Sequence, residues 1–266
     1  MLELEFAQAS DCGRVRDHNE DYLGCVLPEV SERESSKGWL FALADGVGGQ
    51  EMGEIASRMA VETLLAGFRR AAGGEQLRSL LPRLVQAANE TVYEAGLDSQ
   101  VRGAAMATTL VACALRYDRL VVSHVGDSRC YSIRNRHATL LTRDHTLVGE
   151  QRRMGLISAR EEAEAETRHI LTRSLGNAMF VGVDTTDHFI LNGDVLLLCS
   201  DGLHGAIPTS AIEDIVNRNT GLDAAARELI DTANERDGGD NVSVQLVRVK
   251  SIERVGMYRG RPYKLA

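Results

Sequence analysis

The chain has 266 residues, 44% hydrophobic and 26% charged, which suits one large globular domain and excludes disordered and fibrous classes. A net charge of -8 without a long Lys/Arg run excludes nucleic acid as the main partner, and no stretch reaches the roughly 18 apolar residues of a membrane span. Five scattered cysteines, Cys12, Cys25, Cys113, Cys130 and Cys199, fit neither a disulfide frame nor a thiolate zinc site, and MLELEFAQAS has no export pattern, so a cytoplasmic protein is expected.

Residues 2–10 and 21–27 read as strands, and GWLFALAD at 38–45 as a third whose unbroken apolar run implies cover on both faces. The polar SERESSK at 31–37 is a loop between them. After the glycines at 46–49, Ile55, Met59, Val61, Leu64, Leu65 and Phe68 fall near helical spacing, and a second amphipathic run covers about 76–95. Residues 107–142 form a meander of short strands with turns at Tyr117-Asp118 and Asn135-Arg136. The polar stretch 145–175, with EEAEAE inside it, is expected to form short helices in a surface flap. Strands return at about 185–200, helices at 208–217 and 222–235, and NVSVQLVRV closes as a strand. This grouping predicts an α+β fold with helices outside antiparallel sheets. The basic, aromatic end at 251–266 is expected to fray.

Asp45 and Asp201 each follow a buried run and precede a glycine; Asp127 and Asp240 also sit beside glycine, and Glu20 and Asp21 close RDHNED. An isolated Asp-Gly is more often a turn. Two such pairs at the ends of buried strands would bring carboxylates together if the strands are neighbours, and like charges held together need a cation. All-oxygen donors favour Mg²⁺ or Mn²⁺, and the Gly46 carbonyl adds a donor. A two-ion cluster lowers the pKa of water and orients it for in-line attack on phosphorus. Arg16, four residues before Glu20, supplies a guanidinium fork for phosphoryl oxygens.

GRVRDHNED at 13–21, ADGVGG at 44–49, VGDSR at 125–129, LTRSLG at 171–176, SDGL at 200–203 and GGDN at 238–241 together resemble the ordered motifs of the metal-dependent protein phosphatases, the protein phosphatase 2C family, in bacterial form. The resemblance spans residues 1 to about 250, taken as one catalytic domain with a flap at 145–175 and a tail at 251–266. It implies a four-layer αββα sandwich of two antiparallel β-sheets flanked by helices. It also implies hydrolysis of phosphoserine and phosphothreonine in proteins, opposing a cognate Ser/Thr kinase, by a monomer carrying Mn²⁺ or Mg²⁺. By match, Asp45 bridges two ions; Glu20 and the Gly46 carbonyl complete one, Asp201 and Asp240 the other. Asp21 supports them from behind, Arg16 binds phosphate, and Asp127 with Asp201 holds a third, weaker ion.

One departure is Val47, where animal members carry a histidine proposed to protonate the leaving alkoxide; Gln50 likewise replaces a histidine common in bacterial relatives. His204, close behind Asp201, is a speculative substitute. The other histidines, His18, His124, His137, His145, His169 and His188, share no ligand spacing and read as surface or satisfied core groups. A thiol phosphatase is the first rival, since Cys113 to Arg119 and Cys130 to Arg136 both fit C-x₅-R. Neither intervening run contains the glycine a phosphate cradle needs. A phosphoprotein-binding module without activity, and a hydrolase of small phosphate esters, are the others.

Overall fold

The computed structural model describes residues 2–28, 37–47, 51–98, 106–252, 255–258 and 261–264. Its first half runs β1 (Leu2–Asp11), β2 (Asp21–Val26), β3 (Trp39–Val47), α1 (Glu51–Arg70), α2 (Leu77–Asp98), β4 (Ala107–Thr108), β5 (Leu110–Arg116), β6 (Arg119–Val125), β7 (Arg129–Arg134) and β8 (His137–Leu140). There follow α3 (Leu147–Arg153), α4 (Ala159–Glu164), a 3-10 turn (Glu166–His169), β9 (Asp184–Phe189), β10 (Val195–Cys199), α5 (Asp201–His204), α6 (Thr209–Arg218), α7 (Leu222–Arg236) and β11 (Val242–Ile252).

One antiparallel sheet has the order β2-β3-β5-β6-β9, with β4 beside the end of β3; the other has the order β1-β11-β10-β7-β8. Side chains on a strand alternate between faces, so a strand covered on both sides must be apolar throughout. β3 shows this: Phe41 and Leu43 enter the core between the sheets, while Leu40, Ala42 and Ala44 face α1 and α2. β10 repeats it, with Leu196 and Leu198 between the sheets and Val195, Leu197 and Cys199 under α6 and α7. Three apolar clusters thus separate four layers, the αββα sandwich expected.

α1 packs through Ala56, Ala60, Val61, Leu64 and Phe68, whereas Ile55 is exposed. Small residues let the helix lie close to the sheet: a Cβ on Gly24 would meet Val61 and Leu65 at 2.7 Å. Both expected hairpin turns form, with φ of 58° at Tyr117, 51° at Asn135 and 72° at Arg136. In the flap, Thr146 caps α3 and a Ser158/Glu161 capping box starts α4. Where the sequence suggested a frayed end, β12 (Val255–Tyr258) pairs with β13 (Arg261–Lys264) in an antiparallel ladder. The loop expected at 31–37 lies almost wholly outside the described residues.

Candidate metal centre

Asp45 and Asp201 converge, but by a route different from the expected one. β3 and β10 are not neighbours in one sheet; they belong to opposite sheets and deliver their carboxylates to the same end of the sandwich. There the Asp45 and Asp201 carboxyls are close enough to shift each other's pKa. Within the first sheet, Asp21 on β2 lies directly across from Asp45 on β3. Like charges in directly opposed strand positions repel, so three strand ends concentrate charge that the fold alone does not neutralise.

The glycines serve backbone contact rather than turns. A Cβ on Gly46 would sit 2.3 Å from the Gly53 carbonyl oxygen, and one on Gly202 would sit 2.1 Å from that of Asn241. Gly53 in turn leaves room for Glu20, whose Oε2 would be 2.5 Å from an added Cβ. Each Asp-Gly pair therefore marks where a second chain segment presses against a strand end.

The segment against Gly202 is organised by Asn241, a buried residue to which the sequence reading gave no role. Its Oδ1 accepts from the Glu20 N–H at 2.8 Å, and its Nδ2 donates to the carbonyls of Cys12 and His18, both at 2.9 Å. Gly13, with φ of 79°, permits contact with the Asp240 backbone, where a Cβ would be 2.3 Å from its carbonyl oxygen. The loop so held presents Arg16, half exposed, with Nη2 3.0 Å from Asp240 Oδ2. Asp240 is the largest cause raising the Arg16 pKa.

Asp127 enters from the turn after β6. Thr109 ties it to the centre: its Oγ1 accepts from the Asp45 N–H at 2.9 Å and bonds Ser128 Oγ at 2.7 Å. The VGDSR arginine, Arg129, grips Asp144 and donates to the Tyr131 hydroxyl. His204 Nε2 lies 3.1 Å from the Asp127 carbonyl. From the flap, His169 Nδ1 stands 3.8 Å from Asp201 Oδ2. Between flap and carboxylates lies a cavity of about 350 Å³ lined by Asp127, Asp201, Arg152, Arg168 and His169.

Burial pushes Asp21 and Asp127 each up to about 7, with Asp201 adding repulsion at both. Desolvation pushes Asp45 well above the usual range, and Asp21, Asp201, Asp127 and Asp240 reinforce it. Glu20 is also raised by desolvation. Burial would raise Asp201 too, but the His169 imidazole 3.8 Å away, with His204 and the Asp45 carboxyl beside it, holds it below its ordinary value. One oxygen of Asp21 accepts from Ser200 Oγ at 2.8 Å, while Oδ1 is buried without a partner. An orphaned carboxylate oxygen among repelling all-oxygen donors fits a hard divalent cation. Glu20, Asp45, the Gly46 carbonyl, Asp127, Asp201 and Asp240, with Asp21 behind Asp45, are the groups that could hold such ions.

The thiol alternative fails on geometry. Cys113 and Cys130 are fully buried, their sulfurs 3.3 Å apart, and the Cys130 thiol is pushed up by its bond to Cys113 and by burial. Arg119 is paired with Asp187, and Arg136 occupies the β7–β8 turn. Burial pushes His204 down to about 4, which makes it neutral and unsuited to the role of acid. Val47 is partly exposed, and Gln50 lies outside the described residues. The histidines are less scattered than their spacing implies, because β6 and β9 bring His124, His145 and Asp184 together.

Comparison with known proteins places the chain in a family. The sequence profile described as protein phosphatase 2C matches residues 14–248. A serine/threonine phosphatase of Listeria welshimeri is 36% identical over 256 residues, covering 95% of this chain and 96% of its own. A solved serine/threonine phosphatase of S. agalactiae superposes with a TM-score of 0.84 at 32% identity, covering 93% of this chain and all of that one. The catalytic domain of the phosphatase PstP, solved in complex with two manganese ions, gives 0.80 at 30% identity, covering 94% of this chain and 100% of its own. Fold and site thus define a phosphoester hydrolase. The chain belongs to the protein phosphatase 2C family, as an enzyme of the serine/threonine phosphatase type.

Proposed function

We propose that this enzyme is a Mn²⁺/Mg²⁺-dependent phosphatase of phosphoserine and phosphothreonine in proteins, acting as a cytoplasmic monomer against the products of a Ser/Thr kinase. The observation that carries the reading is the meeting of Asp21 and Asp45, opposed on neighbouring strands, with Asp201 from the other sheet. Among the described residues no helix is long and apolar enough to cross a membrane.

Asp45 would bridge two cations, with Glu20 and the Gly46 carbonyl on one and Asp201 and Asp240 on the other. Asp21 would stand behind Asp45, and Asp127 with Asp201 would take a third, weaker cation. Divalent ions bound there would neutralise the carboxylates and supply an activated water at neutral pH. Arg16, tethered at its root by Asn241 and facing Asp240, is the fork for phosphoryl oxygens. The cavity under the flap gives the residues flanking the phosphorylated side chain a place beside Asp127 and Asp201.

The test is phosphate release from a phosphothreonine peptide by chelator-stripped protein with Mn²⁺, Mg²⁺, Ca²⁺ or nothing added. Restoration by Mn²⁺ or Mg²⁺ is expected. Folded protein inactive with every ion would refute the reading.

A further inference from the structure

The His124, His145 and Asp184 cluster has the outline of a metal site, yet its donors are committed elsewhere. His124 Nε2 lies 2.8 Å from the Arg143 carbonyl and 3.1 Å from the Arg143 N–H. Asp184 accepts from Arg143 at 2.6 Å and from Arg173 at 3.1 Å, so an added cation would meet two guanidinium charges. The cluster is better described as a hydrogen-bonded hub whose centre is His145, 2% exposed and stacked on His124 with ring centroids 4.8 Å apart.

His145 touches two structures that otherwise have separate origins. Its Nδ1 accepts from the Gly126 N–H at 3.1 Å, and its own N–H donates to the Gly126 carbonyl at 3.0 Å. Gly126, with φ of 103°, opens the turn that carries Asp127. The His145 carbonyl accepts from the Thr172 N–H at 2.8 Å, which fixes the returning root of the flap to the outgoing one. The partner of Nδ1 leaves the imidazole proton on Nε2, 3.4 Å from Asp184 Oδ2. Burial, with His124 and Arg173 beside it, pushes His145 down to about 4, which keeps this neutral form in place.

We propose that His145 is a positioning residue that locks the Asp127 turn to the flap root, its imidazole holding the Gly126 N–H and its backbone carbonyl the Thr172 N–H, so that the third cation's carboxylate and the flap are set by one residue. The inference rests on the assignment of Asp127 given above. Loss of the imidazole frees the Gly126 N–H directly and loosens the 171–173 segment through the backbone bonds of the same residue, while Asp45, Glu20 and Asp240 keep their own supports.

The test titrates Mn²⁺ into chelator-stripped protein by calorimetry and follows amide exchange at 126–128 and 171–173. His145→Leu is expected to weaken the weakest ion by roughly fivefold to tenfold, as for loss of one buried hydrogen bond, and to leave the tighter ions unchanged. Exchange at both segments should rise together. His145→Asn puts an acceptor where Nδ1 stands and should retain both properties, whereas His145→Gln, which matches Nε2, should not. If the leucine variant does not fold, the Asn and Gln variants carry the comparison. Asn behaving no better than Gln, or normal ion binding in a folded leucine variant, would overturn the role of His145. Asp127→Asn separates the two failures. A weak ion that survives in Asp127→Asn overturns the Asp127 assignment; one lost there but intact in His145→Leu overturns the positioning role alone.

Discussion

Stripping the cations should invert the usual dependence of stability on pH. Asp21 has an ordinary pKa of 3.8 and is pushed up to about 7 in the fold by burial, opposed by the neighbouring Ser243 and by its hydrogen bond from Ser200. A folded pKa above the unfolded one means that the stabilising contribution is complete below about pH 4 and lost as pH rises through about 7. The displacement corresponds to about 4 kcal/mol for this one carboxyl, or about 10 °C in Tm for a chain of this size. Asp127 acts in the same sense and over the same window. Asp201, whose pKa is lowered, loses its contribution only at more acidic pH and leaves the window undisturbed. Calorimetric scans in chelator from pH 5 to 8 should therefore show a falling Tm, which Mn²⁺ reverses. Asp21→Asn should flatten the fall and be more stable than the parent at pH 8 in chelator. A flat or rising Tm in stripped protein, with no change of slope in Asp21→Asn, would refute the reasoning.

Asp45→Asn should lower kcat about a thousandfold or more, whereas Arg16→Ala should mainly raise KM for phosphate esters, about tenfold; equal, mild effects in steady-state kinetics would sink both assignments. Gly46→Ala and Gly202→Ala each force a Cβ against a backbone carbonyl and should cost about 1–3 kcal/mol in urea unfolding, and unchanged midpoints would mean that the backbone yields freely. His204→Gln keeps a donor near the Asp127 carbonyl, so kcat should stay within about threefold with the same pH profile. Loss of the alkaline limb would identify His204 as the acid after all.

The layers were legible because a period-2 pattern is written in β11 and a period-3.6 pattern in α1 and α7, and the both-face burial of β3 and β10 follows from their unbroken apolar runs. The carboxylates were legible because Asp-Gly after such a run is an unusual end for a buried strand. Less legible was the partition of β3 and β10 between two sheets, since strand neighbours are chosen by long-range packing that a local pattern does not encode. The same limit hid Asn241 and Thr109, whose roles depend on partners distant in sequence, although GGDN and ATTL were there to be read. Single histidines carry no periodic signal, so the meeting of His124, His145 and Asp184 became visible only through the β6–β9 pairing. Ile55 shares the helical spacing of the buried residues of α1 yet is exposed, because Gly53, Ala56 and Ala60 form the closer face.

The pairing of β1 with β11 has a consequence for how the enzyme comes into being. Leu2 registers with Ile252 and Asp11 with Val242, so β1 must wait for β11 to be made before this ladder can close. β11 is also an inner strand of its sheet, flanked by β1 and β10, and Asp240 lies just before it. Contacts of such large sequence separation slow folding, because the chain-closure entropy is lost before the contacts compensate. The candidate cation site, which draws on Glu20 and on Asp240, thus cannot be completed before β11 is made. A nascent chain on the ribosome holds Asp45 and Asp21 but no complete site, and phosphatase activity begins only once β11 has emerged and docked.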